Sequence, residues 1–87
     1  MMTVDRVIVT VNFLSSGKKL DLELPAFLPM AELCPKLLET LKGIAPQEYM
    51  RTRRIEIWWN GRKLEDQDTL ATQGAWDGSI LEIREMG

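Results

Sequence analysis

Eighty-seven residues, 45% apolar and 28% charged, have ordinary globular composition and suffice for one modest core. The net charge of −2 speaks against a general nucleic-acid binder, which usually carries a basic surplus. A single cysteine, Cys34, rules out an internal disulfide, and the absence of histidine removes the commonest general base and metal ligand, so no zinc site is expected.

The chain opens Met1-Met2-Thr3-Val4-Asp5-Arg6, without the charged start and apolar stretch of a signal peptide. Apolar runs are too short to span a bilayer, so the expected location is cytoplasmic. Val7, Val9, Val11 and Phe13 alternate with Ile8, Thr10 and Asn12, the period of a strand. The turn cluster Ser15-Ser16-Gly17-Lys18 follows, and then Leu20, Leu22 and Leu24 alternate with Asp21 and Glu23, completing an N-terminal hairpin. Pro25 and Pro29 bracket a short connection. Met30, Leu33, Cys34, Leu37, Leu38 and Leu41 then fall at helical spacing, which predicts a helix over residues 30–42 with Gly43 as its stop. Pro35 is awkward there, because it deletes a backbone donor and crowds the preceding turn. Residues 44–52 read as a connection. Ile55, Ile57 and Trp59 alternate with Glu56, Trp58 and Asn60 in a third strand, with Trp59 facing in and Trp58 facing out. Asn60-Gly61 signals a tight turn, and Arg62-Lys63-Leu64 a short returning strand. A helical turn over residues 69–74 capped by Gly74, a turn at Asp77-Gly78, and a last strand over residues 80–84 complete the chain. This order, β-β-α-β-(short β)-turn-β with one helix to cover a mixed sheet, is that of an α+β β-grasp, expected as one domain over residues 1–87.

The stretch Trp59-Asn60-Gly61-Arg62-Lys63-Leu64-Glu65-Asp66-Gln67-Asp68-Thr69-Leu70 resembles the corresponding part of ubiquitin, where a strand, a Gly turn, Leu-Glu-Asp and Thr-Leu follow in the same order. Gly74-Ala75-Trp76-Asp77-Gly78-Ser79-Ile80-Leu81 resembles the loop before the last ubiquitin strand. Asp21-Leu22-Glu23-Leu24-Pro25, then Pro29, then Ala31-Glu32-Leu33-Cys34-Pro35-Lys36-Leu37-Leu38, narrows the likeness. It is similar to the YukD/EsaB family and to the ubiquitin-like domain of EccD, both of type VII (ESX/WXG100) secretion systems. In that family a helix with an internal proline is ordinary. The resemblance covers roughly residues 6–84. It implies a ubiquitin-like protein-binding module, an accessory or regulator of type VII secretion. Its partners would be proteins, among them the secretion ATPase or membrane components, with no nucleic acid, cofactor or membrane insertion; a homo-oligomer stays open.

An alternative is a ubiquitin-like modifier or sulfur carrier acting through Gly87. Such proteins present two terminal glycines, whose backbone threads an activating-enzyme channel. This sequence ends Arg84-Glu85-Met86-Gly87, with one glycine behind a methionine, so conjugation is not expected.

An outward Trp58 is a candidate partner anchor, at the place of the central apolar residue in ubiquitin's sheet-surface patch. Trp76, with Ala75 taking the buried position, is a second candidate against the plainer role of capping the core edge. Arg54, Arg62 and Arg84 join them as basic candidates. Arg51, Arg53, Arg54, Arg62 and Lys63 cluster around the third strand and suit an acidic partner, although Glu48, Glu56, Glu65 and Asp66 can balance them as a solvated strand end. Cys34 reads as an inert thiol on the helix's apolar stripe, and Asp66, Asp68 and Asp77 as turn supports rather than a calcium loop. No nucleophile has a base beside it, so no catalytic residue is expected.

Overall fold

The computed structural model describes residues 5–87. Residues 1–4, on which part of the signal-peptide reading rests, lie outside them. The elements are β1 (Arg6–Phe13), β2 (Lys19–Pro25), α1 (Met30–Ile44), α2 (Pro46–Tyr49), β3 (Arg54–Trp59), β4 (Arg62–Lys63), α3 (Leu70–Gln73) and β5 (Ile80–Met86). The strands form a mixed sheet in the order β2-β1-β5-β3-β4. β1 runs antiparallel to β2 and parallel to β5, and β5 runs antiparallel to β3. This is the α+β arrangement that the strand and helix periods predict.

Alternation fixes the faces. Val7, Val9, Val11 and Phe13 of β1, Ile55 and Ile57 of β3, and Leu81 and Ile83 of β5 are buried against α1, which contributes Met30, Leu33, Leu37, Leu38 and Leu41. A fully buried aliphatic or aromatic side chain of this kind is worth about 1.5–3 kcal/mol. Asn60 at φ 53° and Gly61 at φ 75° both adopt left-handed backbone, the requirement of the two-residue turn that joins Trp59 to Arg62.

The start of α1 is capped from a distance. Pro29 offers no capping side chain, yet all four first-turn amides have acceptors. Met30 N–H donates to the Asp68 carbonyl (2.9 Å) and Ala31 N–H to the Asp66 carbonyl (3.0 Å), while Glu32 and Leu33 both donate to Pro29 (2.9 Å each). The loop after β4 therefore serves as the N-terminal cap of a helix far earlier in the chain.

Two expectations shift. Gly43 does not stop α1; the helix passes through it to Ile44, Ala45 N–H still reaches the Leu41 carbonyl (2.8 Å), and Pro46, which has no amide hydrogen, ends the ladder. The expected connection after it contains α2, whose Tyr49 is buried edge-on to Phe13 at 6.3 Å. At the chain's other end β5 continues beyond residue 84 to Met86.

Candidate functional site

The sheet face opposite α1 is built from the even-numbered positions of β3 and β5. Cross-strand register places Trp58 beside Glu82 on β5 and Lys63 on β4, and Glu56 beside Arg84. The Arg84 guanidinium lies over the Trp58 ring, 3.7 Å from its centroid. Trp58 Nε1–H donates to Glu56 Oε1 (3.2 Å), and Lys63 Nζ sits 3.2 Å from Glu56 Oε2. The Trp58 hydrogen bond, with the Lys63 contact and the Arg54 charge, holds the Glu56 carboxyl below its usual range, although partial burial pushes the other way. Trp58 is thus half-buried, clamped between a cation above and a carboxylate beside it.

Beyond this clamp the face turns apolar. Ile80 of β5 is 61% exposed and Ile8 of β1 is 56% exposed. Thr10 pairs with Ile80, so both isoleucines share the Trp58 side of the sheet. Trp76, 45% exposed, sits in the loop before β5, while Ala75 takes the buried position. That loop is tied to β1: Ile8 N–H donates to Asp77 Oδ1 (2.8 Å), and Gly78 N–H donates to the Ile8 carbonyl (2.9 Å).

Of the residues nominated from sequence, Trp58 and Arg84 are brought into contact, and Arg54 shares their strand parity at the start of β3. Trp76 lies in the loop that Asp77 and Gly78 tie to Ile8. Arg62 is not part of the Trp58 face. Arg62 pairs with Trp59, on the α1 side of the sheet, and its guanidinium bonds Gln73 of α3. Ile8 and Ile80 were not nominated from the sequence, and Glu56 only as a counter-charge to the basic cluster. Their outward parity was available there, but the β3–β5 register that gathers them was not.

The remaining candidates do structural work. Burial pushes the Cys34 thiol up to about 11, with Asp66 and Glu56 adding to it, and the Ile57 amide and Lys63 do not offset this. Asp68 Oδ2 accepts from Glu65 N–H (2.8 Å), and Asp77 holds Ile8 as described.

The strand order, the register and the helix packed across the sheet define a ubiquitin-like β-grasp protein. Residues 7–83 match the family described as "WXG100 protein secretion system (Wss), protein YukD", and the chain belongs to that family. Among solved structures, the EccD5 ubiquitin-like domain from Mycobacterium xenopi superposes with a TM-score of 0.73 at 17% identity, covering 93% of this chain and 94% of that one. A chain of the MycP5-free ESX-5 inner membrane complex gives 0.72 at 23% identity over 95% of this chain, which spans 21% of that larger one. The N-terminal ubiquitin-like domain of the 4931431F19Rik protein gives 0.68 at 16% identity, covering 98% and 79%. At these identities the likenesses bear on the fold. No curated protein sequence matches the chain. Among the described residues no helix is long and apolar enough to cross a membrane.

Proposed function

We propose that the chain, acting as one β-grasp unit, is a non-conjugating, non-catalytic protein-binding module. In this reading it is a cytoplasmic accessory or regulatory component of type VII secretion, and the Trp58–Arg84 face meets a protein of the machinery, its ATPase or a membrane component. Membership of the YukD family supports the system, and the superposition on a chain of the ESX-5 inner membrane complex is in keeping with such partners. The observation that carries the surface is a half-buried tryptophan stacked under arginine beside exposed Ile80 and Ile8. Trp and Arg are the residues most enriched where interfaces concentrate their energy. Met86 pairs with Arg54 and its carbonyl accepts from Arg53 N–H (2.8 Å), so residues 84–86 belong to the sheet.

Tagged wild-type chain and Trp58→Ala, both checked for folding by circular dichroism, are expressed in a host carrying the secretion system. The wild type is expected to co-purify a named secretion component, and the variant to lose it about thirtyfold or more, the scale of a hot-spot residue. Recovery of no secretion component, together with unchanged secretion on deletion, sinks the reading; equal recovery by the variant removes the Trp58 face from it.

A further inference from the structure

Outside its short pairing with β4, the outer edge of β3 is left open. β4 is two residues long and pairs only with Trp58 and Trp59, so β3 has no strand neighbour outside Arg54–Glu56. The direction of the main chain there follows from two hydrogen bonds. Leu64 N–H donates to the Ile57 carbonyl (2.9 Å), so Ile57 turns its peptide groups toward the outer edge. Ile83, opposite Ile57, turns its carbonyl the other way, to Leu14 N–H of the β1 side (3.3 Å). Peptide groups two residues apart point the same way, so the Ile55 N–H and C=O also face outward, where β4 does not reach.

This open edge is one wall of a groove of about 480 Å³, within the range of roughly 300–1,000 Å³ typical of ligand pockets. α1 forms the other wall. Met30, Cys34, Leu38, Ile55, Ile57 and Leu64 supply the apolar lining, and Lys63, Leu64 and Asp66 close one end. The other end is basic: Lys42, Arg53 and Arg54 stand against Glu39. Among the described residues none of those three cations forms an ion pair, whereas Lys63 is neutralised by Glu56 at 3.2 Å.

We propose that this groove binds an extended peptide segment of a partner protein by strand addition to β3, with alternating apolar and acidic residues. The Ile55 N–H and C=O give the segment a two-bond main-chain register. Every second side chain then drops between β3 and α1 onto Cys34 and Leu38. The intervening side chains project beside Arg54, and the end beyond Ile55 meets Lys42 and Arg53. Open strand edges are templates for such pairing, and alternate pockets give it specificity. The β4 hairpin caps the length of the added strand. The groove adjoins the Trp58 face at Arg54, Glu56 and Lys63, but it is centred on the edge of β3 and on α1; the inference does not rest on the reading above, and its test reads Ile55.

The test uses the 15N-labelled full chain and blocked nonapeptides. One carries isoleucines alternating with glutamates, the second has lysines for the glutamates, and the third is the acidic peptide with its central backbone amides N-methylated. The acidic peptide is expected to shift the Ile55 amide and to slow its hydrogen exchange at least tenfold at saturation. The lysine and N-methylated peptides are expected to bind at least tenfold more weakly. Both arginines of R53E/R54E are exposed, so this variant should fold; it is expected to lose at least tenfold for the acidic peptide and to gain for the lysine peptide. Absence of any Ile55 shift at millimolar acidic peptide overturns the proposal. Equal binding of the N-methylated peptide overturns it too, as does a shift pattern centred on Trp58 and Arg84.

Discussion

A guanidinium stacked on an indole contributes about 0.5–1 kcal/mol at exposed sites and more as the pair is desolvated. Arg84 and Trp58 lie between those limits, since Trp58 is half-buried. Arg84→Ala is expected to cost about 1 kcal/mol in urea unfolding. A double-mutant cycle with Trp58→Ala should return a coupling of about 0.5–1 kcal/mol; additive losses would show that the stacking contributes nothing of its own. Cys34 makes a second prediction at this scale. Its folded thiol ionises only near 11, pushed up chiefly by burial, against 9.0 for a free one. Between pH 9 and 11 the unfolded chain has released that proton and the folded chain has not, so stability falls as pH rises through that window. Cys34→Ala should flatten the loss over that window, measured as the urea midpoint against pH. At pH 8 the native thiol should react with a disulfide reagent far more slowly than the unfolded one.

At the scale of elements, α1 carries a proline where an amide donor belongs. Pro35 cannot donate to the Ala31 carbonyl, and proline in a helix interior costs about 3 kcal/mol relative to alanine, partly offset by about 0.4–1 kcal/mol through its stiffening of the unfolded chain. Pro35→Ala is therefore expected to stabilise the chain by about 2 kcal/mol, read from the urea midpoint. An unchanged midpoint would mean that the helix is already relaxed around the ring.

The same helix shows what could be read in advance. Its apolar spacing and its start at Met30 were legible, because periodicity is local. Its end was not: Gly43 is a permissive residue rather than an obligatory stop, and the ladder runs on until Pro46 has no amide to give. α2 was hidden because four residues are too few to show a period. The outward parity of Trp58 followed from period two, whereas its contact with Arg84 depends on a register set by residues far apart in sequence. The same limit hid the open edge of β3, which depends on how soon β4 ends. The side of the sheet on which Arg62 lies was hidden for a related reason. A basic cluster in sequence splits between two faces once a tight turn folds it back.

For the whole molecule, the central place belongs to the last strand. β5 joins β1 to β3, so its side chains tie both halves of the sheet to α1. Ile83 is fully buried there. Ile83→Ala is expected to cost about 2–5 kcal/mol, a large share of the roughly 5–15 kcal/mol that folded domains possess. Thermal unfolding should then fall well below that of the parent, and a loss under 1 kcal/mol would show that the site collapses around the smaller side chain.

The distant cap of α1 also sets an order of events on the ribosome. Met30 and Ala31 emerge first, but the carbonyls of Asp66 and Asp68 that complete their helical turn arrive about 40 residues later, several seconds at roughly 5–20 residues per second. Until then the start of α1 is uncapped, so the helix that covers the valine face of β1 completes its first turn only after the loop beyond β4 has been made.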